Sequence, residues 1–224
     1  NLSSSASAES ESDSRVVVTQ DDGTESTVLV AGDGSVAVND DGNVTASVDE
    51  NSRLVVRNYD ERGETAKQQE RMIVNGTAAA QVYLTAQAEG SAEAAADVVD
   101  YGQNTTVEVT QRTEGTVEMS VERTEPQGKV VFTSVSEETF DTAEDVQVQV
   151  DGEAAVEASS YSELRTAADN GQTSKFMVQQ SANAQASADV AVALNHFSER
   201  NVTMTEDGSD STDDSDTTEN EDSD

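Results

Sequence analysis

Residues 105–123 read TTVEVTQRTEGTVEMSVER, and apolar and polar side chains alternate along both halves of this stretch. In an extended chain one face is apolar and consists of Val107, Val109, Val117, Met119 and Val121. The opposite face is acidic and consists of Glu108, Glu118 and Glu122. A period of two residues is typical of a strand with one buried and one solvated side, so the stretch predicts an antiparallel sheet with one wet face.

Strand-like runs recur at short intervals on both sides of this stretch. On the N-terminal side they cover residues 15–20, 26–32, 35–38, 43–48, 53–59 and 71–87. On the C-terminal side they cover residues 129–136, 146–158, 174–180 and 186–204. Asp-Gly turn sequences separate the early runs, and valine supplies 30 of the 41 Val, Leu, Ile and Phe residues, which favours strands. Because strands follow strands without helices between them, the sequence predicts a mainly β fold of one or two packed antiparallel β-sandwiches.

One short helix is predicted near residues 160–169 from the signals at its ends. Ser160 stands three residues before Glu163, which is the spacing of a capping box, and Asn170-Gly171 provides a stop. The residues that share its apolar face are Tyr161, Leu164 and Ala168. We expect this helix to close one end of a pair of sheets.

The remaining segments are less regular. Residues 60–72, DERGETAKQQERM, lack an apolar stripe and predict a loop or a short solvated helix. Residues 90–102 are rich in alanine and flanked by glycine, so their propensity favours a helix. Composition divides the chain into a flexible leader at 1–14, a β-rich body at 15–204 with a subdivision near 60–104, and a disordered acidic tail at 205–224.

The net charge limits the classes of partner. The chain has 46 acidic and 12 basic residues, which gives a formal charge of −34. The last twenty residues hold ten acids and no base, so the rest of the chain still carries −24, from 36 acids and 12 bases. The negative electrostatic potential of such a chain disfavours binding to nucleic acid and to an anionic membrane surface. No apolar run approaches 18 residues, so no transmembrane segment is predicted, and the lack of cysteine excludes disulfides.

The excess of Asp and Glu, with lysine only at Lys67, Lys129 and Lys175, resembles the composition of proteins from extremely halophilic archaea. Concentrated salt screens the self-repulsion of such a chain. The tail TEDGSDSTDDSDTTENEDSD (205–224) is similar to the Ser/Thr/Asp-rich stalk that separates ectodomain from C-terminal anchor in haloarchaeal cell-surface proteins. This resemblance implies an extracellular or cell-surface location. The chain starts with Asn1 rather than Met, and removal of a signal peptide is the expected reason.

No catalytic arrangement is evident in the sequence. His196 is the only histidine, and Ser198 lies two residues along, on the same face if the segment is a strand. A hydrolase also needs an orienting group, an oxyanion hole and a suitable turn, so we interpret His196 as a strand-end residue at the edge of the core. Carboxylates are too abundant for any one pair to stand out, and motifs such as HExxH or GxSxG do not occur. The sequence therefore predicts a protein that is not an enzyme.

No cofactor is predicted, but cations and glycans are candidate ligands. The Asp-Gly turns lack the spacing of an EF-hand loop, so the expectation is loose binding of Ca²⁺ or other cations rather than a specific site. Asn-x-Ser/Thr sequons identify candidate acceptors of N-glycans. Besides Asn1, these acceptors are Asn43, Asn75, Asn104 and Asn201.

The leading functional hypothesis is an extracellular structural or interaction protein of a halophile, displayed at the surface as an adhesin or assembled into filaments. Its partners would be copies of itself or other surface proteins. In a filament, the leader and the segment of Arg15, Val16, Val17 and Val18 would add a strand to a neighbour's sheet edge. The alternative is a tethered ectodomain that binds a cation, a glycan or a small solute. Its expected sign is a pocket lined by Tyr59, Tyr83, Tyr101 or Tyr161.

Overall fold

A computed structural model describes residues 6–59, 61–84, 96–102, 104–113, 115–136, 139–140, 145–181, 186 and 188–206. Within these ranges the chain forms strands for most of its length and two short helices. The prediction of a mainly β protein built from packed antiparallel sheets is therefore confirmed.

The N-terminal part of the chain forms a four-stranded antiparallel sheet with a hairpin inserted in it. Its strands are β1 (Ala6–Ser12), β2 (Arg15–Gln20), β3 (Glu25–Ala31), β4 (Gly34–Val38), β5 (Val44–Val48) and β6 (Arg53–Tyr59). The sheet order is β1-β2-β3-β6, while β4 and β5 pair only with each other. The β4–β5 hairpin packs on the outer face of the sheet, where Val36 meets Val16, Val18 and Val30.

The rest of the chain supplies two larger sheets and both helices. Its first elements are α1 (Glu64–Val74), β7 (Ala78–Leu84), β8 (Ala96–Asp100), β9 (Thr105–Thr113), β10 (Thr116–Arg123) and β11 (Gln127–Val135). The later ones are β12 (Val146–Val150), β13 (Glu153–Ala154), β14 (Val156–Glu157), α2 (Tyr161–Asn170), β15 (Lys175–Gln180), β16 (Ala188–His196) and β17 (Glu199–Glu206).

These strands form a sandwich of a five-stranded sheet, ordered β13-β12-β17-β10-β9, and a six-stranded sheet, ordered β14-β15-β16-β11-β7-β8. Two neighbouring pairs of the larger sheet, β7 with β11 and β14 with β15, are parallel, and the other pairs are antiparallel. The stretch 105–123 forms the β9–β10 hairpin, in which Val107 lies opposite Val121 and Val109 opposite Met119. The predicted apolar face of this hairpin does line the core of the sandwich.

The six-stranded sheet is the middle layer of the molecule, because both of its faces are buried. On β11, Val131 points into the sandwich core and Phe132 points into a second core on the opposite face. The second core is closed by Met72 of α1, Leu164 of α2 and Leu29 of β3. The helices and the N-terminal sheet therefore cover the face of the middle sheet that the five-stranded sheet leaves open.

The predicted helix at 160–169 is confirmed as α2. The Ser160 hydroxyl accepts a hydrogen bond from the Glu163 backbone N–H at 3.4 Å, and the helix ends at Asn170 before Gly171. Its buried face contains Tyr161, Leu164 and Ala168. Its expected position is wrong, because α2 packs across the face of the six-stranded sheet on β11, β15 and β16 instead of closing one end of a sheet pair.

Three predictions of local structure need correction. Of the two alternatives for residues 60–72, the short helix is confirmed as α1 at Glu64–Val74, but it is not solvated, because its buried side consists of Ala66, Gln69, Glu70, Met72 and Ile73. Because polar residues share the buried face of α1, the sequence shows no apolar stripe from which a buried helix could be predicted. The run predicted as a strand at 71–87 is helical at 71–74 and becomes a strand only from Ala78. Within the alanine-rich segment 90–102, helix propensity is wrong for residues 96–100, which form the strand β8 because they pair with β7, while residues 90–95 lie outside the described residues.

The N-terminal leader also differs from expectation where the structure describes it. Residues 6–12 form β1, which pairs along its length with β2 and thereby hydrogen-bonds a segment predicted to be flexible. Strand β17 continues to Glu206, two residues into the predicted tail, and the remainder of the tail, 207–224, lies outside the described residues. No helix in the described part of the chain combines the length and apolar character needed to cross a membrane.

Candidate functional site

Helix α1 inserts a glutamine into a polar network inside the molecule. Gln69 is 1% exposed, and its Oε1 accepts a hydrogen bond from Arg57 Nη2 of β6 at 2.7 Å. Its Nε2 donates to Asp189 Oδ2 of β16 at 3.0 Å and to the Tyr161 hydroxyl of α2 at 3.3 Å. This one amide therefore connects the N-terminal sheet, the middle sheet and α2.

The network continues across the middle sheet. Asp189 Oδ1 accepts hydrogen bonds from Ser134 Oγ at 2.6 Å and Ser181 Oγ at 3.1 Å. Ser134 Oγ accepts in turn from Gln81 Nε2 at 2.9 Å, and Gln81 Oε1 accepts from the Tyr101 hydroxyl at 2.7 Å. Buried polar groups connected in this way specify one arrangement of the strands, because every alternative packing leaves some of them unpaired.

The four tyrosines that were expected to line a ligand pocket lie around this network, in the interior of the molecule. Tyr59, Tyr101 and Tyr161 are buried, Tyr83 is half-buried, and the Tyr59 ring centre lies 5.4 Å from the guanidinium carbon of Arg57. Burial raises the pKa of all four phenols, that of Tyr161 to about 12, so they are neutral at physiological pH. The tyrosines converge as a packed core rather than as the lining of an open pocket.

A second buried network starts from the next residue of α1. Both carboxylate oxygens of Glu70 accept hydrogen bonds from Arg62, at 2.8 and 2.7 Å, and Glu70 Oε2 also accepts from Arg15 Nη1 at 3.1 Å. Arg62 makes a second pair of hydrogen bonds to the carboxylate of Glu11 on β1, at 2.9 and 2.8 Å. These four residues form what we call the ionic clamp, which ties the edge strand β1 to α1.

The ionic clamp keeps its carboxylates charged. Burial by itself would raise the pKa of Glu70, but the hydrogen bonds and positive charge of Arg62 outweigh it and hold the pKa below its usual value. The hydrogen bonds from Arg62 likewise lower the pKa of Glu11. Bidentate pairing of this type is the strong form of a salt bridge, because both donors of the guanidinium fork are aligned with carboxylate oxygens.

The surface shows a different pattern, in which large exposed apolar side chains lie at the borders of the sheets. Among the described residues these side chains are Val48, Leu54, Val56, Val99 and Val156. Each belongs to a strand at the end of its sheet: β5 of the hairpin, β6 of the four-stranded sheet, or β8 and β14 of the six-stranded sheet. An edge strand with exposed apolar residues is a template for pairing with another chain.

The segment proposed for strand exchange is not at an edge. Arg15, Val16, Val17 and Val18 belong to β2, which pairs with β1 on one side and with β3 on the other. Val16 and Val18 are buried beneath the β4–β5 hairpin, and Arg15 takes part in the ionic clamp. In this structure the segment is therefore an internal strand, and the edge of the sheet is β1.

The isolated histidine does not form a catalytic pair. His196 ends β16, as the sequence predicted, and its exposed ring contacts Arg200, with Nε2 at 2.8 Å from Nη1. The Ser198 hydroxyl donates instead to the backbone carbonyl of Glu199 at 3.4 Å. The geometry therefore gives no proton-transfer contact between His196 and Ser198.

The candidate glycosylation asparagines lie at the surface to different degrees. Asn75, Asn104 and Asn201 are exposed, and Asn43 is half-buried in the β4–β5 turn, whereas Asn1 lies outside the described residues. Asn75 also ends α1: the N–H groups of Gly76 and Thr77 bond to the carbonyls of Ile73 and Met72, with Gly76 at a φ of 67°. This is a Schellman motif, so the Asn-Gly-Thr sequence has a structural role independent of any sugar.

Concave sites within the described residues are shallow. One surface pocket of about 340 Å³ lies along α2, from Ser160 before the helix to Thr173 after it, and is also lined by Glu163 and Lys175. No group of three or more potential metal-ligating side chains occurs in the part of the chain that the structure describes. The three residues that organise the interior, Arg57, Gln69 and Asp189, were not singled out from sequence, although Arg57 and Asp189 stand out as charges on strand positions that face a core.

Comparison with protein families and with curated proteins gives no match for this chain. No model of a protein family matches the chain, and no curated protein is significantly similar to it.

Proposed function

We propose that the protein is an extracellular structural and interaction protein of a halophile, displayed at the cell surface or assembled into filaments through the edges of its sheets. The observation that carries this proposal is the location of Val48, Leu54, Val56, Val99 and Val156. All of these exposed apolar side chains lie on edge strands. Scattered exposed valines need no explanation, but their restriction to strands that can still accept a neighbour supports association by strand pairing.

The charge of the chain sets the medium in which such association is favourable. Two copies that each carry −34 repel each other in dilute salt. The screening length falls from about 10 Å at 0.1 M salt to about 3 Å at 1 M, and salting-out ions also strengthen apolar contacts. An acidic surface together with apolar edges therefore supports assembly in brine, in agreement with the halophilic composition.

The experiment is light scattering and negative-stain electron microscopy of the purified chain in multimolar KCl and after dialysis to 0.1 M KCl. We expect ordered assemblies in concentrated salt and their loss on dialysis. A variant with Leu54→Lys, Val99→Lys and Val156→Lys places a charge on three edges and is expected to remain monomeric. Glu122→Lys serves as the surface control, because Glu122 is exposed on β10, an inner strand of the five-stranded sheet. Monomers at every protein concentration in high salt would overturn the assembly proposal.

The second candidate is a tethered ectodomain that binds a cation, a glycan or a small solute. It is favoured by the pocket of about 340 Å³ beside α2, which lies at the lower end of the size of known ligand sites and presents Glu163, Lys175 and several hydroxyl groups. Calorimetric titration with Ca²⁺ and with oligosaccharides, compared between the wild type and Lys175→Met, tests it. Neither proposal assigns catalysis, and hydrolase activity of the pure protein in high salt would contradict both.

A further inference from the structure

We propose that β6 of one copy pairs with β1 of a second copy, so that the four-stranded sheets of successive molecules join into one continuous sheet. This inference rests on the proposed assembly function and names the strand, the partner and the register. It differs from exchange of the Arg15–Val18 segment, because each chain keeps all of its own strands.

The topology of the four-stranded sheet permits this joining by simple repetition. Its order is β1-β2-β3-β6, and each neighbouring pair is antiparallel, so the two edge strands run in opposite directions. A second molecule placed alongside the first in the same orientation therefore brings its β1 antiparallel to the first β6. The side chains also keep their faces, because the sheet continues without a flip.

The two edges match each other in side-chain character. On the outer face of β6, Leu54 is 49% exposed and Val56 is 59% exposed. On the outer face of β1, Ala6 and Ala8 are half-buried and point the same way as the valines under the β4–β5 hairpin. The register in which Leu54 lies opposite Ala8 also places Val56 opposite Ala6, so both exposed apolar side chains of β6 acquire an apolar neighbour.

The same register pairs opposite charges on the inner face. Leu54 opposite Ala8 places Arg53 opposite Glu9, at the distance at which cross-strand pairs interact. Neither side chain forms an ion pair with another described residue in the isolated chain. The other charged residues of the two strands are already engaged within the chain: Arg57 of β6 is buried and bonded to Gln69, and Glu11 of β1 is paired with Arg62. Arg53 and Glu9 therefore form the one opposite-charge pair that this register creates.

The ionic clamp keeps β1 available in the required position. Glu11 holds β1 against its own sheet through Arg62, so the strand presents its free edge instead of detaching. The contact is heterologous, since β6 of one copy meets β1 of the next, and each added molecule leaves one free edge of each kind. Repetition therefore continues beyond a dimer, and it gives an open filament when the rotation between copies does not close a ring.

Engineered disulfides test the pairing in the full chain, which contains no cysteine. The double variant Ala8→Cys with Leu54→Cys places one thiol on each edge. Within one molecule these positions lie three strand spacings apart, about 14 Å, which is beyond the reach of a disulfide, so crosslinks form only between copies. The matched control is Ala8→Cys with Val156→Cys, since Val156 has the same 49% exposure as Leu54 and also lies on an edge strand.

The readout is a non-reducing gel after mild oxidation in multimolar KCl, with electron microscopy of the same samples. We expect a ladder of dimers, trimers and longer species for the first variant and monomers for the control. Assemblies visible by microscopy without a ladder would overturn the β6–β1 pairing and leave the assembly function intact. Dimers alone would exclude the open repeat. Monomers in both assays, for the variants and for the wild type, would overturn the pairing and the assembly function together.

Discussion

Gln69 and Glu70 are consecutive residues of α1, yet their side chains enter two separate buried networks. Gln69 is hydrogen-bonded to Arg57, Asp189 and Tyr161, and Glu70 is hydrogen-bonded to Arg62 and Arg15. One turn of helix thus fastens the N-terminal sheet to the middle sheet and the edge strand β1 to the helix. The networks give α1 a defined position that its few apolar contacts alone would not specify.

We predict that Glu70→Gln destabilises the fold strongly. The Glu70 side chain is fully buried, and its replacement puts an amide where Arg15 and Arg62 meet a buried carboxylate, so that Glu11 alone balances both arginines in the clamp. Breaking one member of a buried ion pair costs about 3–5 kcal/mol. Urea unfolding in multimolar KCl, followed by circular dichroism, measures this loss.

Glu64→Gln on the same helix is the control for that measurement. Glu64 forms a surface pair with Arg71, and the two side chains are 69% and 44% exposed. We expect a change below about 0.5 kcal/mol, because water and salt screen exposed pairs. Equal effects of the two substitutions would contradict a structural role for the ionic clamp.

The pH dependence of stability should carry the signature of the same carboxylates. The pKa values of Glu11 and Glu70 in the folded chain lie below their ordinary value of 4.5. As the pH falls, the unfolded chain takes up protons first, so the stabilisation is complete above about pH 5 and is lost as the pH falls through the folded pKa values. The free energy of unfolding between pH 3 and 7, measured in high salt, should fall less steeply for Glu70→Gln than for the wild type; parallel curves would refute this assignment.

Asp189→Asn should weaken the contact between the middle sheet and α1. Asp189 accepts hydrogen bonds from Gln69, Ser134 and Ser181, and an asparagine amide would direct N–H donors at one of these donor groups. Losing hydrogen bonds to a buried charge costs about 1.5–3 kcal/mol. Thermal unfolding measures the effect, with Asp97→Asn on exposed β8 as the control; a melting temperature equal to that of the control would show that the network is dispensable.

Gly128→Ala tests the packing of α2 on the middle sheet. A Cβ at Gly128 would collide with the backbone carbonyl oxygens of Ala168 in α2 and Leu194 in β16 and would lie 2.8 Å from that of Asn195. Overpacking against rigid backbone costs about 1–3 kcal/mol. Gly102→Ala, where a Cβ meets no atom within 4 Å, should be close to neutral. Similar unfolding midpoints for the two variants would contradict the close contact between α2 and the sheet at Gly128.

The sequence alone determined most of the strands, the principal turns and the boundaries of α2. These features depend on local rules: alternation along 105–123, glycine in tight turns, and the Ser160 cap all act within a few residues. It also determined the acidic character of the chain, with its formal charge of −34. The tertiary structure decided the rest. It buried one face of the helix at 64–74 and made strands of 6–12 and 96–100. It also formed the buried network of Arg57, Gln69 and Asp189, because burial of polar groups is favourable only when partners distant in sequence meet them. Which strands remain as open edges is likewise a property of sheet order, and no local pattern encodes that order.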